Sequence, residues 1–217
     1  MPAFGRLQAP DARDQNYPMR TLLPIEASVR TFRYWNQSQW YGDQGPTPQC
    51  VGYAWAHWLE DGPTTQRGTA PIVAPERIYH GAQDVDEWPG IDYEGTSVRA
   101  GAKVLQGLGF IQNYYWGFTL EEVVQCLLDR GPVVVGTNFY VRMLTPDPAG
   151  FVQIGGAIVG GHAYVLNGVN TKAAVVRLKN SWGRSWGSGG SALITFDDMA
   201  RLLSEDGEAC IAVEVRQ

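Results

Sequence analysis

The sequence predicts an α+β fold with helices first and strands after. Three observations carry this. Segments with helix caps and stops dominate the chain before Gly131, and short β-rich runs separated by Gly, Asn or Asp, with one short helix among them, follow it. Hydrophobic residues make up 44% of the 217 positions, against 18% charged, so the chain has ample material for a core. The 26 Gly and 13 Pro punctuate it into many short elements. The organisation expected is an irregular N-terminal arm over 1–40, a mainly helical lobe over 41–130 and a mainly β, barrel-like lobe over 131–217, the lobes meeting in a cleft.

Residues 1–40 have scattered Pro and no sustained period of 3.6 or 2, which predicts an extended arm lying on the body. CVGYAWAHWLED, from Cys50, is dense in apolar residues and ends at Asp61-Gly62-Pro63, so it reads as a short buried helix with Cys50 in its first turn. Ala74 to Gln83 is a weaker helix. Residues 84–96 are acidic and loop-like, and Thr96-Ser97 offers an N-cap for VRAGAKVLQGLG. Thr119 and Glu122 form a capping box ahead of EVVQCLLDR, which Gly131-Pro132 terminates. The β runs are then VVVGTNFY, FVQI, HAYVLNGV, AAVVRLKN, SALITF and ACIAVEV, with a helix at DDMARLLSE.

A net charge of -5 with no adjacent basic residues lacks the footprint of a nucleic-acid binder. The N-terminal stretch has no apolar run of signal-peptide length, and the longest uncharged stretch, Pro148 to Thr171, is broken by Gly, Gln153, His162, Asn167 and Asn170. No membrane partner is expected, and a cytoplasmic or phage-associated location is. Three widely spaced cysteines suggest neither a disulfide framework nor a zinc site. With no GxxxxGK, HExxH or CxxC, neither metal nor cofactor is implied.

A cysteine in the first turn of a helix has its thiolate favoured by unpaired N–H groups and the helix dipole, so Cys50 is the candidate nucleophile. It needs a base, and there are three histidines. His57 lies about 10 Å along the same helix, too far for direct contact. His80 closes a helix, where a histidine is a routine dipole partner. His162 begins a strand after Gly160-Gly161, where missing side chains let a ligand approach, and Asn180 ends the next strand, within reach of an imidazole.

Read in order, QGPTPQC, GGHAYVLNGV and KNSWGRSWGSGG resemble the papain-like cysteine peptidases, whose catalytic residues follow the order Cys, His, Asn. The resemblance spans about 40 to 215 and implies a two-lobe fold with the active site between the lobes. It makes Cys50 the nucleophile, His162 the acid/base, Asn180 its orienting partner and Gln44 an oxyanion-hole donor. Trp182 would shield the Asn180–His162 contact and border the substrate, and Gly95 would fall where the family pairs with a substrate backbone. The implied activity is hydrolysis of peptide or protein substrates through a thiolate–imidazolium pair and an acyl-enzyme. The same residues would serve an acyl transferase, or an inactive binding protein on this scaffold.

The departures are informative. Thr47-Pro48-Gln49-Cys50-Val51 replaces the usual Cys-Gly-Ser/Ala-Cys-Trp, so the family's first Cys and the Trp after the nucleophile are missing. Spacings at or below the family's low end imply shortened loops, as in a compact bacterial or phage-type relative. Residues 1–40 would be a short pro-like segment or part of the fold.

Overall fold

The computed structural model describes residues 3–26, 28–36, 38–63, 69–90 and 93–215. Ile91 and Asp92 of the acidic loop, and Met1, Pro2, Ala27 and Gln37 of the arm, lie outside them. The elements run β1 (Phe32–Tyr34), α1 (Cys50–Asp61), α2 (Pro75–Gln83), α3 (Val98–Gly107), β2 (Ile111–Gly117), α4 (Leu120–Asp129), β3 (Val133–Tyr140), β4 (Ile158–Asn170), β5 (Val175–Lys179), β6 (Ser191–Thr195), α5 (Phe196–Ser204) and β7 (Glu208–Glu214).

Caps set several of these boundaries. Ser97 Oγ accepts from Ala100 N–H at the start of α3. Thr119 and Glu122 close the capping box that begins α4. Thr195 caps α5, the helix expected at DDMARLLSE.

One antiparallel sheet, in the order β2-β7-β3-β4-β5-β6, organises the molecule. β4 outruns β3, and β1 pairs with its far end, Phe32 opposite Asn170. The barrel-like lobe expected from the sequence is therefore an open sheet. Its strands are apolar on both faces: Val134, Ala163 and Val165 pack under α1 and α3, whereas Val133, Val135, Tyr164 and Leu166 pack with residues of α4 and α5. Side chains alternate along a strand, so two apolar faces need cover on both sides, and helices supply it.

Three strand readings change. β2, not foreseen, joins the β7 edge through NYYW, whose aromatics do not alternate with polar residues and whose register slips between Ile111 and Asn113. β1 forms inside the arm because β4 leaves an edge for it. FVQI is not a strand: between Pro148 and the positive-φ Gly156, only Phe151 finds a bridge, to Leu193.

α1 is buried along its whole length. Trp55 Nε1 donates to Val98 O at 2.9 Å, and Trp58 Nε1 to Pro132 O at 3.0 Å. Gly101 leaves room for the Trp55 ring, since a Cβ there would stand 2.3 Å from it. At the far end of α1, Asp61 meets Lys179 Nζ at 3.0 and 2.9 Å, both residues fully buried. No described helix is long and apolar enough to cross a membrane.

Candidate active site

Cys50 is the first residue of α1, and Gln49 before it offers no side-chain cap, so first-turn N–H groups stay free to face an anion. The backbone N–H groups of Val51, Ala163 and Gly5 favour a thiolate there, but complete burial outweighs them and pushes the thiol up to about 11.

His162 lies on β4 directly before Ala163, whose N–H reaches the thiol. Its Nε2 is 2.8 Å from Asn180 Oδ1, which also accepts from Ser181 N–H at 2.8 Å. That second donor fixes which Asn180 atom is the oxygen, so Nε2 must carry the proton and Nδ1 the lone pair. Nδ1 has no hydrogen-bond partner, so the thiol and imidazole are not hydrogen-bonded to each other. Burial brings the imidazole down to about 4 against the opposing pull of Asn180. Near pH 7 both groups are neutral. Trp182 packs against the imidazole, with ring centroids 4.8 Å apart.

Gln44 is held from the same strand end. Its backbone N–H donates to Ser181 O at 2.8 Å, and Ser181 Oγ donates to Gln44 Oε1 at 2.6 Å. The amide nitrogen is thereby turned toward the cleft, donating to Thr47 O at 2.7 Å and Ala3 O at 3.0 Å. Ser181 was not singled out as a site residue by sequence, although it stands between Asn180 and Trp182.

No protein-family model and no curated protein matches the sequence. Solved structures do match. Xylellain, a cysteine protease from Xylella fastidiosa, superimposes with a TM-score of 0.77 at 16% identity over 99% of this chain and 98% of its own. Procathepsin L2 from the larval midgut of Tenebrio molitor gives 0.69 at 15% identity over 98% and 78%. Bromelain from Ananas comosus, solved with the E64 inhibitor, gives 0.64 at 13% over 85% and 99%. The chain has the papain-like fold.

In this papain-like cleft lies the chain's own arm. Gly5 O accepts from Thr96 N–H at 2.9 Å, Leu7 N–H donates to Thr96 O at 2.9 Å, and Arg6 N–H donates to Gly161 O at 3.0 Å. Phe4 packs edge-on against His162, with ring centroids 5.8 Å apart, and against Trp182 at 6.0 Å. Gly5 is required by its seat, since a Cβ would fall 1.8 Å from Pro48 O. Gly95, at φ 101°, sits beside this pairing, where a Cβ would stand 2.6 Å from Gly5 O; the pairing itself is made by Thr96. No sequence signal marked Phe4 to Leu7, because nothing in their pattern reports a partner at Thr96 and Gly161.

Beyond Trp182 an open cavity of about 620 Å³ is lined by Asp43, Pro46, Leu144, Trp182 and Trp186. His57 is fully buried, its Nε2 accepting from Gly42 N–H at 3.4 Å. His80 is exposed. All three cysteines are free and buried. Among the described residues no group of His, Cys, Asp and Glu is arranged to hold a metal.

Proposed function

We propose that this protein is a cysteine peptidase acting through Cys50, His162, Asn180 and Gln44. The observation that carries the reading is the His162–Asn180 hydrogen bond, with its oxygen fixed by Ser181, which leaves Nδ1 unprotonated, while the next residue, Ala163, presents its N–H to the Cys50 thiol. With substrate in the cleft, His162 Nδ1 takes the thiol proton and the sulfur attacks the peptide carbonyl carbon. The oxygen gains negative charge facing Gln44 Nε2 and the Cys50 N–H. Collapse breaks the C–N bond, and the departing amine takes the proton from Nδ1. Water, deprotonated at Nδ1, then adds to the thioester, and collapse expels the thiolate, which takes the proton back from Nδ1 as the carboxylic acid product departs.

The neutral pair and the occupied cleft favour a second reading, a binding protein that has lost turnover. The arm accounts for them within the first. It presents an N–H, not a carbonyl carbon, to the sulfur at Gly5, while the oxygen it offers Gln44 belongs to Ala3, two residues away. No arm peptide bond thus faces both nucleophile and oxyanion donor, and an apolar ring seals the imidazole. The arm is in this reading a pro-like segment that holds the site latent.

The test is labelling of the Gly5→Ala protein, in which a Cβ cannot fit against Pro48 O and the arm is unseated, with a peptidyl epoxide across pH 4 to 9, beside the same protein carrying Cys50→Ala or His162→Ala. Modification confined to Cys50, persisting well below the free-thiol pKa of ~8.5 and weakened in His162→Ala, supports the reading. Equal reaction at Cys126 and Cys210 would sink it.

A further inference from the structure

Past the foot of α1 the sheet carries a strip of rings and guanidinium groups that peptide hydrolysis does not use. Tyr34 of β1, Gly168 of β4 and Arg177 of β5 stand in register across three strands. Lys179, two residues on from Arg177 and on the same face, reaches Asp61, the last residue of α1, so the row lies at the end of the helix opposite Cys50. Two glycines let rings lie close to the backbone: a Cβ at 168 would stand 3.2 Å from the Tyr34 ring, and one at 190 would stand 2.5 Å from the Tyr41 ring. Arg177 joins the rings, its guanidinium 4.7 Å from the centre of Tyr34 and its Nη2 donating to Tyr41 Oη at 3.1 Å. Arg184 lies over Tyr41 at 4.7 Å, and Phe32 stacks on Tyr34 at 5.7 Å. Phe32, Tyr34 and Arg184 are exposed, and Tyr41 is half-buried.

Two properties set the strip apart from ordinary surface. Rigid rings and planar guanidinium groups are the side chains enriched where proteins meet, because they offer contact area and directed hydrogen bonds at a low cost in lost rotamers. The charge of the strip is also left uncompensated. Among the described residues Arg177 and Arg184 hydrogen-bond only neutral acceptors, Asn167 Oδ1, Tyr41 Oη and Gln39 O, in a chain whose net charge is -5. Lys179 beneath them, by contrast, is paired by Asp61. A second copy docked here about a two-fold axis would set guanidinium against guanidinium, and a polyphosphate would meet a chain that repels it. A short acidic polypeptide segment meets neither objection: its carboxylates match the guanidinium fork and its apolar side chains match the rings. The near end of the strip adjoins the cavity beyond Trp182, since Asp43, two residues after Tyr41, and Ser185, next to Arg184, both line it.

We propose that Tyr34, Tyr41 and Arg184 form an exosite, outside the cleft, that docks an acidic segment of a polypeptide substrate. Its role toward a substrate rests on the reading of the cleft as a peptidase site, whereas the docking itself does not.

The test separates binding from turnover. The full chain carrying Cys50→Ala, its arm seated so that the cleft is filled, is titrated with fluorescein-labelled Gly-Asp-Leu-Glu-Leu-Asp-Gly. The counterpart with Asn and Gln in place of Asp and Glu carries the same label, and anisotropy is read for both. The acidic peptide should bind about tenfold more tightly than its neutral counterpart, and Arg184→Gln should abolish that preference. Tyr34→Ala should weaken both peptides, and Lys103→Gln, which removes a cation of α3, should leave both unchanged. Equal affinities, a preference that survives Arg184→Gln, an equal loss in Lys103→Gln, or no binding at millimolar concentration overturns the exosite. If the acidic peptide binds as expected but the Gly5→Ala protein with Cys50 intact cleaves no member of a mixed peptide library, the docking surface stands and the peptidase reading falls.

Discussion

Ser181 shows how one residue can hold two candidate site side chains. Its N–H fixes Asn180 and its Oγ fixes Gln44, so one residue positions both the partner of His162 and the Gln44 amide. Gln44→Ala should lower kcat about 100-fold, equivalent to ~3 kcal/mol, with KM little changed. Ser181→Ala keeps the backbone contacts and should lower kcat about tenfold, and steady-state kinetics on a peptide substrate reads both. Cys50, His162, Asn180 and Gln44 could be singled out as candidates because short contiguous motifs carry them. The work of Ser181 could not, because its partner Gln44 lies 137 positions away. Protonation supplies another prediction at this scale. His162 titrates near 6.5 in the unfolded chain and near 4 when folded, so between these values the unfolded state binds more protons and stability falls as pH falls. His57, buried beside Lys179, acts in the same direction, whereas Glu208, Asp14 and Glu60, raised by burial, act in the opposite one. The contribution of His162 is therefore read by difference. Wild-type and His162→Gln urea midpoints should run parallel above pH 7, with wild type falling relative to the variant from pH 6.5 to 4.5.

α1 presents Cys50 at one end and a buried ion pair at the other. Asp61 receives Lys179 Nζ and, at 2.8 Å, Asn167 Nδ2, so the foot of the helix is tied to β5 one residue before Asn180. Removing one partner leaves the other charged and unpaired in the core. Asp61→Ala should accordingly cost about 3–5 kcal/mol in urea unfolding. Thr119→Ala, which removes only the α4 cap, should cost about 1 kcal/mol. Both elements were legible in the sequence because caps, stops and apolar density act over a few residues. Asp61 was read only as part of a stop signal, since its partner lies 118 positions away. β2 escaped notice for the same physical reason as β1: each exists because β7 or β4 offers it an edge, and no local pattern reports that.

At the scale of the molecule, the change from helices to strands after Gly131 makes the fold class legible, whereas the path of the arm is not. Tertiary contacts alone order it. Arg99 is held by Asp14 and donates to Ala9 O at 2.9 Å, Trp116 N–H donates to Tyr17 O at 2.8 Å, and Trp35 Nε1 donates to Leu127 O at 2.6 Å. Downstream of Ala9 the described arm residues are thus an integral part of the body, and among the described residues only Ala3 to Leu7 enters the cleft. This division allows the seat to be opened by a point substitution that leaves the body intact. Gly5→Ala places a methyl group 1.8 Å from Pro48 O, a backbone atom at the turn before α1 that cannot withdraw. Unseating the segment uncovers His162 from Phe4, frees a Gln44 N–H from Ala3 and rehydrates the thiol, so the causes of both neutral states weaken together. In the full-length protein at pH 7, Gly5→Ala should raise the rate of Cys50 modification by a peptidyl epoxide at least tenfold, about 1.4 kcal/mol, with the urea midpoint within experimental error of wild type. An unchanged rate with the midpoint also unchanged would mean that the arm is not what limits access to Cys50, and the closed cleft would then be a property of the lobes themselves.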